Sequence, residues 1–200
     1  ANIGYIELLG FLCKQLQKPK DKSKLKIECI GNSITCGTGS DISEIPCGKG
    51  FWHDQHNAYL SYGALAARKL NAQFHLSSVS GIGLMRSCCN LKITMPQMFD
   101  KINLYDGDKT WDFKNYQPDI VTICLGQNDG IVDSASFSNT YINFIQYLRK
   151  IYPRAYFICM SSPMAHQELM TFQKNNIKAL VGKINSLGDN KVSCYFFSKQ

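Results

Sequence analysis

A serine, a glycine and an asparagine stand at comparable places along this chain, each just past a short apolar run. Ser33 lies in Gly31-Asn32-Ser33-Ile34-Thr35 after Leu25 to Ile30. Gly81 lies in Ser80-Gly81-Ile82-Gly83 after Gln73 to Val79, and Asn128 in Gly126-Gln127-Asn128-Asp129-Gly130 after Asp119 to Leu125. A serine hydroxyl at a strand-to-loop junction can attack a carbonyl carbon once a base takes its proton. Backbone N–H groups and an asparagine amide can donate to the oxyanion that such an attack creates. Taken singly, each motif has a plainer meaning: serine starts turns and caps helices, and Asn-Asp-Gly is ordinary turn composition. The ordered set is what points to acyl transfer.

The glycines also raise phosphate binding. A phosphate loop needs G-x-x-x-x-G-K-[ST], with the lysine on the phosphates. After Gly31 this chain offers Gly37-Thr38, with the wrong spacing and no lysine. Gly81-Ile82-Gly83 would begin a dinucleotide fingerprint, but its sixth position is Arg86 and it follows the second apolar run instead of the first. Both nucleotide readings are weak.

The elements that must position these residues alternate. Leu25 to Ile30, Asp119 to Leu125 and Ala155 to Met160 read as buried strands, and Gln73 to Val79 and Val192 to Phe197 as strands. Between them, Ala58 to Leu70, the series Tyr141, Phe144, Ile145, Leu148, Ile151, and the series Leu169 to Ile184 read as helices, the last long or kinked. Ile82 to Gln117 is expected to be irregular, with Pro96 and Gly107 against one continuous element. Strands alternating with helices imply an α/β three-layer sandwich on a central parallel sheet of about five strands, flavodoxin-like in architecture. Active sites of such folds gather beyond the C-terminal ends of the strands, where the glycine-marked motifs fall.

Composition is consistent with one globular domain: 200 residues, 44% apolar and only 18% charged. No apolar run is long enough to span a membrane. The net charge of +7 owes much to Lys14, Lys18, Lys20, Lys22, Lys24 and Lys26, a run with Pro19 and polar neighbours that suits a solvated linker better than a nucleic-acid site. The nine cysteines include no C-x-x-C pair. Cys36 with Cys47, or Cys47 with Cys88 or Cys89, would each close a loop, and the sequence does not choose.

The chain resembles the SGNH/GDSL hydrolases, and in IECIGNSITCGTG, NAYLSYGALAARKLNAQFH, SSVSGIGL and PDIVTICLGQNDG it is similar to carbohydrate esterase family 2. The resemblance implies a secreted or periplasmic, monomeric serine esterase that removes O-acetyl groups from plant polysaccharide, with no cofactor or metal, no nucleic-acid partner and no membrane span. Ser33 would be the nucleophile. The N–H groups of Ser33 and Gly81 and the Asn128 side chain would form the oxyanion hole. Trp52, His56, Gln127 and Asp129 would meet the acetylated carbohydrate. Residues 1–24 would be the trailing end of a preceding β-sandwich domain with its linker, and 25–200 the hydrolase domain.

The sequence departs from the family at two places. Asn32 stands where many relatives carry aspartate, a minor change that keeps shape and hydrogen bonding. The family's catalytic histidine follows the last strand, where this sequence stops at Gln200, so that histidine block and the final helix are expected to be missing. The 200 residues alone are then expected to be nearly inactive, with apolar surface uncovered. Of the histidines present, His75 reads as structural and His166 as the start of a helix. His53 and His56 read as cleft-lining residues or, less well, a two-ligand metal pair. The rival functions are a non-catalytic carbohydrate-binding protein, a flavodoxin-like nucleotide binder, and an SGNH hydrolase acting on another acyl ester.

Overall fold

A computed structural model describes residues 8–18, 22–103 and 109–197. Pro19 and Lys20 of the lysine-rich run, Gly107 and Gln200 lie outside the described residues. Five parallel strands form one sheet: β1 (Lys26–Gly31), β2 (Gln73–Ser78), β3 (Ile120–Cys124), β4 (Tyr156–Met160) and β5 (Val192–Tyr195), in the order β2-β1-β3-β4-β5. Each matches a run expected from the sequence; the central strands β1, β3 and β4 are the more deeply buried and the more apolar, and the edge strands β2 and β5 carry more polar residues.

The helices are α1 (Ser33–Cys36), α2 (Tyr62–Lys69), α3 (Met95–Met98), α4 (Ser134–Ile151) and α5 (Gln167–Ser186). Helix α4 starts where the Asp133 side chain accepts from the Ser136 N–H and ends before Pro153, with Arg149 and Lys150 in its last turn complementing the helix dipole. It presents Phe137, Tyr141, Phe144, Ile145 and Leu148 to the core, each worth about 1.5–3 kcal/mol when fully buried. Helix α5 is one uninterrupted element of 20 residues and lays Ile177, Leu180, Val181 and Ile184 against the same sheet face.

The register sorts side chains onto the two faces. Ile30, Val121, Ile123, Phe157 and Cys159 point to α4 and α5, whereas Ile27 and Cys29 meet Ala67 of α2. On that second face, beyond the reach of α2, Tyr156 and Tyr195 are exposed.

Two expectations are refined. The stretch from Ile82 to Gln117 contains α3, and Pro96 sits in its first turn, where no N–H is needed, so the proline opens a helix instead of preventing one. Cys88 pairs with its neighbour Cys89 across a turn in which Cys89 and Asn90 have φ of 60° and 64°, while Cys36 and Cys47 are free thiols. Residues 8–18 contain no strand or helix.

Candidate active site

The strand order makes β1 the middle of three strands whose C-terminal ends carry the motifs. Gly31 pairs with Ser78 of β2 on one side and Cys124 of β3 on the other. The chain turns opposite ways from β1 and β3, leaving a crevice between their ends. Ser33 is the first residue of α1, half-buried at this crevice. The cap of that helix is Asn32, fully buried, whose Oδ1 accepts from the Ile34 N–H at 3.1 Å. Ser33 is therefore not spent on capping.

Gly81 follows β2 with φ of +85°, a conformation glycine adopts without strain. Its carbonyl accepts from the Cys88 N–H at 2.8 Å. Asn128, in the loop after β3, donates from Nδ2 to the Ile82 carbonyl at 2.8 Å. That bond joins the loops after β2 and β3 across the end of β1 and fixes the plane of the amide.

Asp129 is fully buried, and its carboxylate accepts from the N–H groups of Leu84 at 2.9 Å, Met85 at 2.6 Å and Arg86 at 3.1 Å. Arg86 Nε returns a bond to the Asp129 carbonyl at 2.7 Å. Asp129 thus holds the loop beyond Gly81, and its oxygens face backbone amides. At Gly83 an added Cβ would collide with the Arg86 carbonyl and lie 2.7 Å from Asp129 Oδ2, so only glycine lets the clamp close. Gln127 is half-buried, with Oε1 enclosed and unpaired.

Trp52 and His56 belong to the loop that runs from Gly37 back to Asn57. Gln55, buried, donates to the carbonyls of Pro46 and Lys49, and Asn57 Nδ2 donates to Asp41 at 2.8 Å. His56 Nδ1 accepts from the Gly39 N–H at 3.3 Å, and its ring meets the edge of Trp52 at 4.4 Å. Burial, with the nearby His53 as a smaller contributor, holds the His56 pKa below its ordinary value, which favours the neutral ring. Trp52 and Phe51 remain exposed beside it.

The other histidines are engaged elsewhere. His75 stacks on Tyr116 at 3.7 Å, His166 caps α5, and His53 stacks on Phe51. Among the described residues no histidine hydrogen-bonds to Ser33, and no cluster of three or more His, Cys, Asp or Glu is placed to hold a metal. Sequence reasoning missed Gln173, which is fully buried in α5 and accepts from the Ser162 N–H at 2.7 Å, steadying the turn after β4. No sequence signal marks it.

Comparison with known proteins shows the family and the fold. The GDSL-like lipase/acylhydrolase family profile matches residues 29–196. The cellulase/esterase CelE of Acetivibrio thermocellus is 34% identical over 209 residues, covering 100% of this chain and 25% of that protein. An acetylxylan esterase/glucomannan deacetylase of Cellvibrio japonicus is 36% identical over 138 residues, 65% of this chain and 37% of its own length. A family two carbohydrate esterase from Clostridium thermocellum, solved with cellohexaose, superposes with a TM-score of 0.85 at 32% identity, covering 93% of this chain and 57% of that one. The chain thus spans between a quarter and about three fifths of these relatives.

Proposed function

Because the chain belongs to the GDSL-like lipase/acylhydrolase family, we propose that it carries the serine and oxyanion half of a carbohydrate O-deacetylase. Ser33 Oγ attacks the acetyl carbonyl, the sugar oxygen leaves, and water then releases acetate from the acyl-serine. The Ser33 and Gly81 N–H groups and the Asn128 amide stabilise the tetrahedral intermediates. The observation that carries this reading is the Asn128 to Ile82 bond of 2.8 Å, which uses one amide hydrogen as an anchor and leaves the other for an oxyanion over the end of β1. Trp52 and His56, in edge-on ring contact, are read as the sugar side, and Gln127, whose Oε1 is enclosed and unpaired, as a further substrate contact. Asp129 acts through the loop it holds. The likeness to an enzyme named acetylxylan esterase/glucomannan deacetylase supports an acetylated polysaccharide as the substrate.

The base is the part of the machinery that the described residues do not supply to Ser33. In this reading it is a group external to the described residues, and the serine alone keeps its proton at neutral pH.

Acetate release from 4-nitrophenyl acetate and from acetylated xylan or glucomannan tests the assignment. The 200-residue chain is compared with a longer protein that contains it. Turnover by the longer protein alone, silenced by Ser33→Ala and reduced about 10²–10³-fold by Asn128→Ala, is the expected result. Turnover that survives Ser33→Ala overturns the nucleophile. Ser33-dependent turnover by the short chain overturns the external base.

A further inference from the structure

A second polar place lies on the same strand as the serine motif, well inside the sheet. Glu28 of β1 is only 3% exposed. One carboxyl oxygen accepts from Ser77 Oγ of β2 at 2.7 Å. The Tyr152 hydroxyl stands near enough to influence its titration but not in hydrogen-bonding geometry, so Oε2 is enclosed without a partner. Leaving such an oxygen unpaired costs about 1–3 kcal/mol, more if it is charged. A structural acid would be a poor use of that position, which calls for another account.

That account is a pocket of about 230 Å³, on the α4–α5 side of the sheet at its β2 edge. Glu28, His75 and Ser77 make its floor, Phe99, Trp111 and Phe113 its walls, and Lys101 with Ile102 its rim. Phe99 and Phe113 stack at 5.6 Å, and Phe99 meets Phe144 of α4 edge-on at 5.7 Å, so one wall is braced by the core. Trp111 approaches the His75 ring edge-on at 6.1 Å. Glu28 lies three residues, about 10 Å, below Gly31 at the end of β1, and Ser33 lies beyond that end, so this pocket is not the crevice.

We infer that the pocket binds one neutral sugar ring or a polyol of that size, independently of the Ser33 crevice. The volume is below the roughly 300–1,000 Å³ of drug-sized sites and matches about seven or eight waters, room for a single ring. Aromatic walls suit the C–H faces of such a ring, while a carboxyl, an imidazole and a hydroxyl offer its hydroxyl groups partners on one side. The charges decide against ions. At the rim Lys101 pairs with Asp100 at 3.7 Å, and burial favours the uncharged Glu28 carboxyl, so neither sign of ion finds a free counter-charge. A neutral ligand uses both side chains, accepting from the lysine and meeting the Glu28 carboxyl where it lines the pocket.

The two tryptophans permit a direct test. In a Trp52→Phe protein Trp111 is the only indole, and its fluorescence reports the pocket. Xylose, glucose and mannose are titrated, with methylammonium and acetate as charged probes. The expected result is a saturable signal with at least one of the sugars, with Kd about 1–10 mM. Glu28→Gln and His75→Ala, each added to that protein, should weaken it about tenfold, and Ser33→Ala should leave it unchanged. The last variant separates this site from the esterase reading, since loss of deacetylation would not move the Trp111 signal. No saturation with any sugar, saturation with methylammonium or acetate in place of sugar, or a sugar signal indifferent to both pocket variants overturns the inference.

Discussion

Asp129 offers the sharpest check on how the crevice is built. Its carboxylate accepts three backbone N–H groups, from Leu84 at 2.9 Å, Met85 at 2.6 Å and Arg86 at 3.1 Å. A hydrogen bond to a charged group is worth about 1.5–3 kcal/mol, so a naive sum reaches about 5–9 kcal/mol. That sum is too large. Met85 is half-buried and Arg86 exposed, so water can take over part of what they lose. Leu84 is 1% exposed, and its N–H would be left unpaired. We therefore expect Asp129→Ala to cost about 3–5 kcal/mol, the range for stripping a partner from a buried charged network.

Against a total stability of about 5–15 kcal/mol, the alanine variant can approach unfolding, so Asp129→Asn is the more useful substitution. It keeps one oxygen for two of the amides and turns an NH₂ group toward the third, for a loss of about 2 kcal/mol. Urea unfolding followed by circular dichroism reads this as a midpoint lowered by roughly 1 M. Hydrogen exchange should accelerate at residues 84–86 before it does in β1 or β3. Losses under about 1 kcal/mol for both variants, or unchanged exchange at 84–86, would refute the clamp.

The remaining expectations use the same methods. Gly83→Ala drives a Cβ into the Arg86 carbonyl and to 2.7 Å from Asp129 Oδ2, and should cost about 2–4 kcal/mol; Gly182→Ala in α5, where nothing lies within 4 Å, should instead stabilise by about 0.5–1 kcal/mol. Burial pushes the Glu28 carboxyl above its ordinary 4.5, so the folded chain keeps a proton that the unfolded chain has released. Its contribution is fullest below that value and is lost as pH rises through the folded-state pKa, so the stability of wild type minus Glu28→Gln should fall across this interval; a flat difference would contradict it. His75, lowered by burial, acts in the opposite sense below 6.5 and is common to both proteins. Arg149 holds Asp189 through Nε at 2.9 Å and a terminal nitrogen at 3.0 Å, bonds the Ala155 carbonyl at 2.6 Å and covers Phe157, so Arg149→Lys should lower stability by about 1–3 kcal/mol in urea unfolding.

What the sequence disclosed follows from which interactions are local. The central strands β1, β3 and β4 were legible because deep burial writes itself as an apolar run, and α4 because Tyr141, Phe144, Ile145 and Leu148 repeat at the helical period. Ser33, Gly81 and Asn128 stood out through their place after those runs. Asp129 was not legible as a clamp, since Asn-Asp-Gly reads as a solvated turn and its partners lie 43 to 45 residues away. Glu28 was hidden inside a run taken as apolar, its partner Ser77 being 49 residues distant. The cysteine pairing escaped because loop closure was weighed, whereas the observed bond joins neighbours.

The strand order explains why one strand can serve two polar places at once. With β1 between β2 and β3, loops from both flanks reach over its end, and Asn128 can anchor on Ile82 above the serine motif. Had the order been sequential, the loops after β2 and β3 would lie to one side of β1, and Asn128 would have no carbonyl across that end to hold it. The same flank gives Glu28 its partner Ser77, lower on β2. Because side chains alternate along β1, Glu28 and Ile30 face α4 and α5 while Ile27 and Cys29 face α2. A change at Glu28 is therefore transmitted to Ser33 only through the strand backbone, which is braced on both sides by parallel partners. Chemistry at the strand end and binding in the pocket should accordingly be separable by single substitutions.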